Sequence, residues 1–84
     1  MQKSIHSAQY AVFLKVLKKA REDAGLSQVQ LARKIGETQT FVSKCERGER
    51  RIDIIELRTF CRAFGMPLRQ FVSAVELAIA RSRG

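Results

Sequence analysis

The chain has 84 residues, 45% of them hydrophobic and 29% charged. That balance suits one folded domain and argues against disorder along the whole length. At this size about 60–65% of the surface is buried on folding, enough for one core but too little for a core plus a deep catalytic cleft. Sixteen Lys and Arg against eight Asp and Glu leave a net charge of +8, which points to a polyanionic partner, nucleic acid before anionic membrane.

Helical periodicity runs through most of the sequence. Between Ala8 and Ala24, the residues Tyr10, Phe13, Leu14, Leu17, Ala20 and Ala24 fall on one stripe, and Gly25 supplies a left-handed stop. Ser27 and Gln30 have capping-box spacing, and Leu26 and Leu31 have the spacing of a hydrophobic staple. A second helix, 28–35, follows with Leu31, Ala32 and Ile35 facing inward, and Gly36 ends it. Thr38 caps a third helix, 39–47, whose inward residues are Val42 and Cys45, with Gly48 beyond it.

Asp53 and Glu56 repeat the capping-box signal, with Ile52 and Leu57 at staple spacing. They open a fourth helix, 53–64, with Ile54, Leu57, Phe60, Cys61 and Phe64 inward and Gly65 at its end. Pro67 fits a helix start. The stripe Leu68, Phe71, Val72, Val75 and Ile79 makes a fifth helix, 68–80, and the tail from Arg81 to Gly84 is expected to fray. No period-two strand, repeat or linker interrupts this pattern. The expectation is a single all-α domain over 1–84, its helices at about 8–24, 28–35, 39–47, 53–64 and 68–80.

Several kinds of function drop out. No apolar run is long enough for a bilayer, and no charged-then-apolar leader precedes the first helix, so a cytoplasmic location without a membrane partner is expected. Cys45 and Cys61 lack metal-ligand spacing and read as small core residues. His6 reads as a solvated side chain. No nucleophile–base pair, paired acids or phosphate-cradling glycine loop is visible, so no catalytic residue, metal or cofactor is expected.

The window Gln28 to Arg47 carries the most information. Two short helices flank a tight turn. Gly36 permits positive φ in that turn, and Ala32 is small where the helices cross. These are the requirements of a helix-turn-helix. The segment LSQVQLARKIGETQTFVSKCERGER resembles the Cro and phage-repressor type of helix-turn-helix, the XRE family, and the likeness extends from about Phe13 to Phe71. It implies a five-helix lambda-repressor-like domain with its helix-turn-helix at the second and third helices. It also implies sequence-specific binding of double-stranded DNA by a transcriptional regulator, usually dimeric.

The polar face of the third helix has the chemistry to read bases. Gln39 can bond an adenine edge bidentately, Thr40 offers a hydroxyl and a methyl, and Ser43 and Lys44 lie one turn on. By the resemblance, Gln39, Thr40 and Lys44 match base-contacting positions. Gln28 matches one that touches phosphate and braces the first recognition residue. Arg47, Arg50 and Arg51 cluster where phosphate contacts are expected, though the loop here differs in length from that of some family members and lacks their proline.

Arg21 falls on the apolar stripe of the first helix, where a charge is costly unless it is paired or reaches water. Glu46 is the candidate partner, and the resemblance implies that ion pair. Ala74, Leu77 and Ala78 lie to one side of the fifth-helix stripe and are a candidate homodimer interface, which suits an inverted-repeat operator.

The alternatives within this class are a restriction-modification controller or an antitoxin, the latter with a toxin partner. From another class comes a protein-interaction module reusing the fold. RNA binding is disfavoured because the aromatics are few and mostly inward.

Overall fold

The computed structural model describes residues 5–83, with side-chain surroundings from residue 8 to residue 82. Five helices follow one another: α1 (Ile5–Asp23), α2 (Gln28–Ile35), α3 (Gln39–Glu46), α4 (Ile54–Phe64) and α5 (Leu68–Arg83). No strand occurs among the described residues.

The helix starts are fixed by side chains. Ser27 Oγ accepts from the Gln30 N–H at 3.0 Å, and Gln30 Oε1 accepts from the Ser27 N–H at 2.8 Å, a complete capping box. Asp53 and Glu56 make the same reciprocal pair at α4. Thr38 Oγ1 accepts from the Phe41 N–H at α3. Each cap satisfies an amide that the helix itself leaves unbonded.

At the other end of α2, Gly36 takes φ +74° and its neighbour Glu37 bonds back to the Ala32 carbonyl. That Schellman closure reverses the chain within a few residues. It lets α3 start against α2 and so shapes the helix-turn-helix.

The core draws on all five helices. Leu17 and Ala20 come from α1, Leu31 and Ala32 from α2, Val42 and Cys45 from α3, Leu57, Phe60 and Cys61 from α4, and Phe71 from α5. α1 lies against α5 and α3, α2 against α3 and α4, and α4 against α5. Both thiols are buried, and desolvation raises them, Cys61 to about 11. They are neutral and packed at physiological pH, as inert core groups should be.

The inward stripes are narrower than the periodicity suggests. Ile54 and Val72 are 56% and 41% exposed. Each lies about 70° from the centre of its helix's buried stripe at 100° per residue, too far round to reach the core. Ala24 is also exposed, because α1 stops at Asp23. α5 stays helical to Arg83 instead of loosening near residue 80. The side chain of His6 and the terminal Gly84 lie outside the described residues.

Gly48, just past α3, has φ +80°, and a Cβ there would meet Leu14 Cδ1 at 3.1 Å. Gly36 has open space at the same point. Gly36→Ala should cost about 1–2 kcal/mol for its left-handed backbone alone. Gly48→Ala should cost more, about 2–3 kcal/mol, because Leu14 must also yield. Urea unfolding of both variants checks the order; an equal or smaller loss at Gly48 contradicts it.

Candidate functional site

A chain of polar side chains starts in the core and ends on the surface. Arg21 on α1 is 7% exposed. Its Nε donates to Glu46 Oε2 at 2.6 Å, and its Nη2 donates to Glu46 Oε1 at 3.2 Å. Its Nη1 donates to the Leu26 carbonyl at 2.8 Å, in the turn between α1 and α2. Gln28, the first residue of α2, donates from Nε2 to Glu46 Oε1 at 2.9 Å. Gln39, the first residue of α3, donates from Nε2 to Gln28 Oε1 at 2.7 Å.

The direction of this relay is dictated from within. An ionised carboxylate only accepts hydrogen bonds, so Gln28 must turn its NH2 toward Glu46. Its carbonyl oxygen then faces Gln39, which must donate. Gln39 is left with one N–H and its Oε1, and it is exposed. One donor beside one acceptor is the complement of the adenine edge in a major groove.

Beside Gln39 on α3 lie Thr40 and Lys44, both exposed, and Ser43, half-buried. Lys44 has no ion-pair partner among the described residues. Ser43 Oγ accepts from Arg47 Nη1. Arg47 also donates twice to Glu49, at 2.9 and 3.1 Å, which raises the guanidinium pKa and lowers that of the carboxyl. This pair is about half exposed, and such pairs open readily in water. The structure thus brings Gln28, Gln39, Glu46 and Arg21 into one network and puts Thr40 and Lys44 beside it.

Arg50 and Arg51 point elsewhere. Arg50 grips Glu56 with two bonds of 2.9 and 2.8 Å and stacks over Phe41 at 4.8 Å. Arg51 stacks over the Tyr10 ring at 4.3 Å, and the Tyr10 hydroxyl accepts from the Ile52 N–H. These contacts tie the α3–α4 loop to α3 and α4 through Arg50 and to α1 through Arg51 and Ile52. No local sequence pattern marks Glu56 and Tyr10 as holders of the loop. Glu56 was legible only as a capping residue, and no local spacing marks a partner six residues away across a loop.

On α5, Leu77 is 54% exposed, Ala74 is exposed and Ala78 is half-buried. Among the described residues no group of His, Cys, Asp and Glu could hold a metal ion. No described helix is long and apolar enough to cross a membrane.

A helix-turn-helix family model matches residues 17–71. Among solved structures, the chain is similar to an XRE-family like protein from Pseudomonas syringae pv. tomato str. DC3000. The TM-score is 0.81 and the identity 44%, over 87% of this chain and 89% of that one. No curated protein matches.

Two outcomes are expected. Arg21→Met should cost about 3–5 kcal/mol by stranding a buried carboxylate, and Arg21→Met/Glu46→Leu should cost clearly less than the sum of the single losses. Strict additivity in a thermal-unfolding cycle would contradict the coupling.

The second outcome concerns pH. The Arg50 guanidinium, and then the Asp53 N–H, hold the Glu56 carboxyl below its usual pKa. The stability this confers is present above the ordinary glutamate value of about 4.3 and disappears as pH falls through the lower folded value. The Tm advantage of wild type over Glu56→Gln should therefore vanish in acid. A difference independent of pH would contradict it.

Proposed function

The chain belongs to the XRE-type helix-turn-helix family, a family of DNA-binding regulators, and from that premise we propose a sequence-specific repressor that binds an inverted-repeat operator as a homodimer. The observation that carries the base-reading part is the hydrogen bond from Gln39 to Gln28, which leaves Gln39 a donor–acceptor pair suited to adenine. In this reading α3 lies in the major groove. Gln39, Thr40, Ser43 and Lys44 face the bases, Thr40 offering its methyl to thymine and Lys44 its ammonium to guanine. Gln28 and Arg47 meet the phosphates, Arg50 and Arg51 lend their charge from the loop they hold in place, and the net charge of +8 supplies the attraction that is indifferent to sequence.

The phosphate roles are not equivalent. Arg47 can leave Glu49 for a phosphate at little cost, because their pair is solvent-screened. Arg50, gripped by Glu56, contributes its charge from a fixed place and mainly keeps the loop in shape.

Gln39→Ala should lose about 1–3 kcal/mol at one base pair and relax the preference there. Arg47→Ala should weaken binding to every sequence alike. Selection of bound sites from random duplexes, followed by affinity measurements on the enriched site and its single-base variants, checks both. A uniform loss for Gln39→Ala would reverse the assigned roles.

Dimerisation through α5 rests on Leu77, a large apolar side chain left in water between the small residues Ala74 and Ala78. Two-fold pairing would place two recognition helices about 34 Å apart, one turn of DNA. Leu77→Glu is expected to shift the sedimentation of the protein toward monomer and to weaken operator binding, with unchanged helicity. A wild type that stays monomeric at about ten micromolar, a modest demand on a weak dimer, would contradict it.

A further inference from the structure

Away from the reading surface, one cleft carries charge that the fold leaves unpaired. Lys34 and Ile35 close α2, and with Arg58, Thr59, Arg62 and Ala63 of α4 they line an open cleft of about 420 Å³. None of the eight Asp and Glu residues of the chain lines it. Every ion pair among the described residues lies elsewhere.

Folding alone does not account for this clustering. Lys34 and Arg62 sit in the last turns of their helices, where the helix dipole favours a cation. Arg58 is in the middle of α4, one turn before Arg62, and like charges at that spacing weaken a helix. Between the three cations, Ile35 and Ala63 are half-buried and packed against the core, so they set a small apolar patch in an otherwise polar lining.

We propose that this cleft docks an acidic segment of a partner protein, with carboxylates on Lys34, Arg58 and Arg62 and an aliphatic side chain on Ile35 and Ala63. Arginine forks match carboxylates two bonds at a time, which orients the segment. The apolar patch of Ile35 and Ala63 is what separates this occupant from nucleic acid, since a phosphate ribbon has no apolar group to set there. The lining includes no residue of α3 or of the loop after it. Lys34 is also six residues beyond Gln28, about 9 Å along the axis of α2. The cleft therefore remains open while α3 reads DNA.

The test uses the whole chain and a fluorescein-labelled peptide of alternating glutamate and leucine, at near-physiological salt. Fluorescence anisotropy should show saturable binding that Arg58→Gln/Arg62→Gln weakens about tenfold or more. Lys15→Gln/Lys18→Gln removes the same charge from exposed positions on α1 and should leave peptide binding within about twofold. Backbone-amide NMR shifts should gather in the last turn of α2 and on α4, and affinity for a random duplex should match wild type in the Arg58→Gln/Arg62→Gln variant. Should that variant fail to fold, Lys34→Gln serves the same comparison.

Three results would overturn the proposal. The first is an absence of peptide binding, and the second is an equal fall with either pair of substitutions. Duplex affinity falling in step with Arg58 and Arg62 would instead make the cleft a nucleic-acid contact.

Discussion

The buried Arg21–Glu46 pair constrains everything around it. A guanidinium and a carboxylate held at 8% and 5% side-chain exposure need every strong bonding direction filled. The fold supplies those partners from separate places: the Leu26 carbonyl in the α1–α2 turn and the Gln28 amide at the start of α2. No buried side-chain polar atom among the described residues is left unbonded. Moving α1, α2 or α3 relative to the others would strand a charge, so the pair sets the register of the helix-turn-helix against its supporting helix. Apolar packing by Leu17, Leu31 and Val42 would tolerate small slips; the ion pair does not.

The same pair explains why a surface amide has a fixed orientation. A glutamine alone on a helix can present either end of its amide. Here the carboxylate of Glu46 orients Gln28, and Gln28 orients Gln39, so a charge in the interior sets the polarity of a group in solvent. The bonds that stabilise the fold and the geometry that would read a base are thus one structure.

Much of the architecture was legible because it rests on local rules. Ser27 with Gln30, Thr38, Asp53 with Glu56, and the glycines after α2 and α4 mark helix ends through bonds made within a few residues. Arg21 stood out because a charge interrupted an apolar stripe. What periodicity could not supply was the width of each buried face. Ile54 and Val72 keep step with their stripes but lie at the edge, where only the arrangement of neighbouring helices decides exposure. Nor could it find the grips of Arg50 on Glu56 and of Arg51 on Tyr10, which join positions 6 and 41 residues apart. The cleft between α2 and α4 was hidden for the same reason, since Lys34 and Arg58 meet only after folding.

The central claim is that the Glu46 carboxylate fixes the amide polarity of Gln28 and, through it, of Gln39. Side-chain amide NMR of the free protein tests this directly in wild type and in Glu46→Gln. The account predicts that wild type shows one exchange-protected amide proton on each of Gln28 and Gln39. In Glu46→Gln both should lose protection, because a neutral amide at position 46 accepts either orientation of its neighbour. Unchanged signals from Gln28 and Gln39 in that variant would contradict the claim.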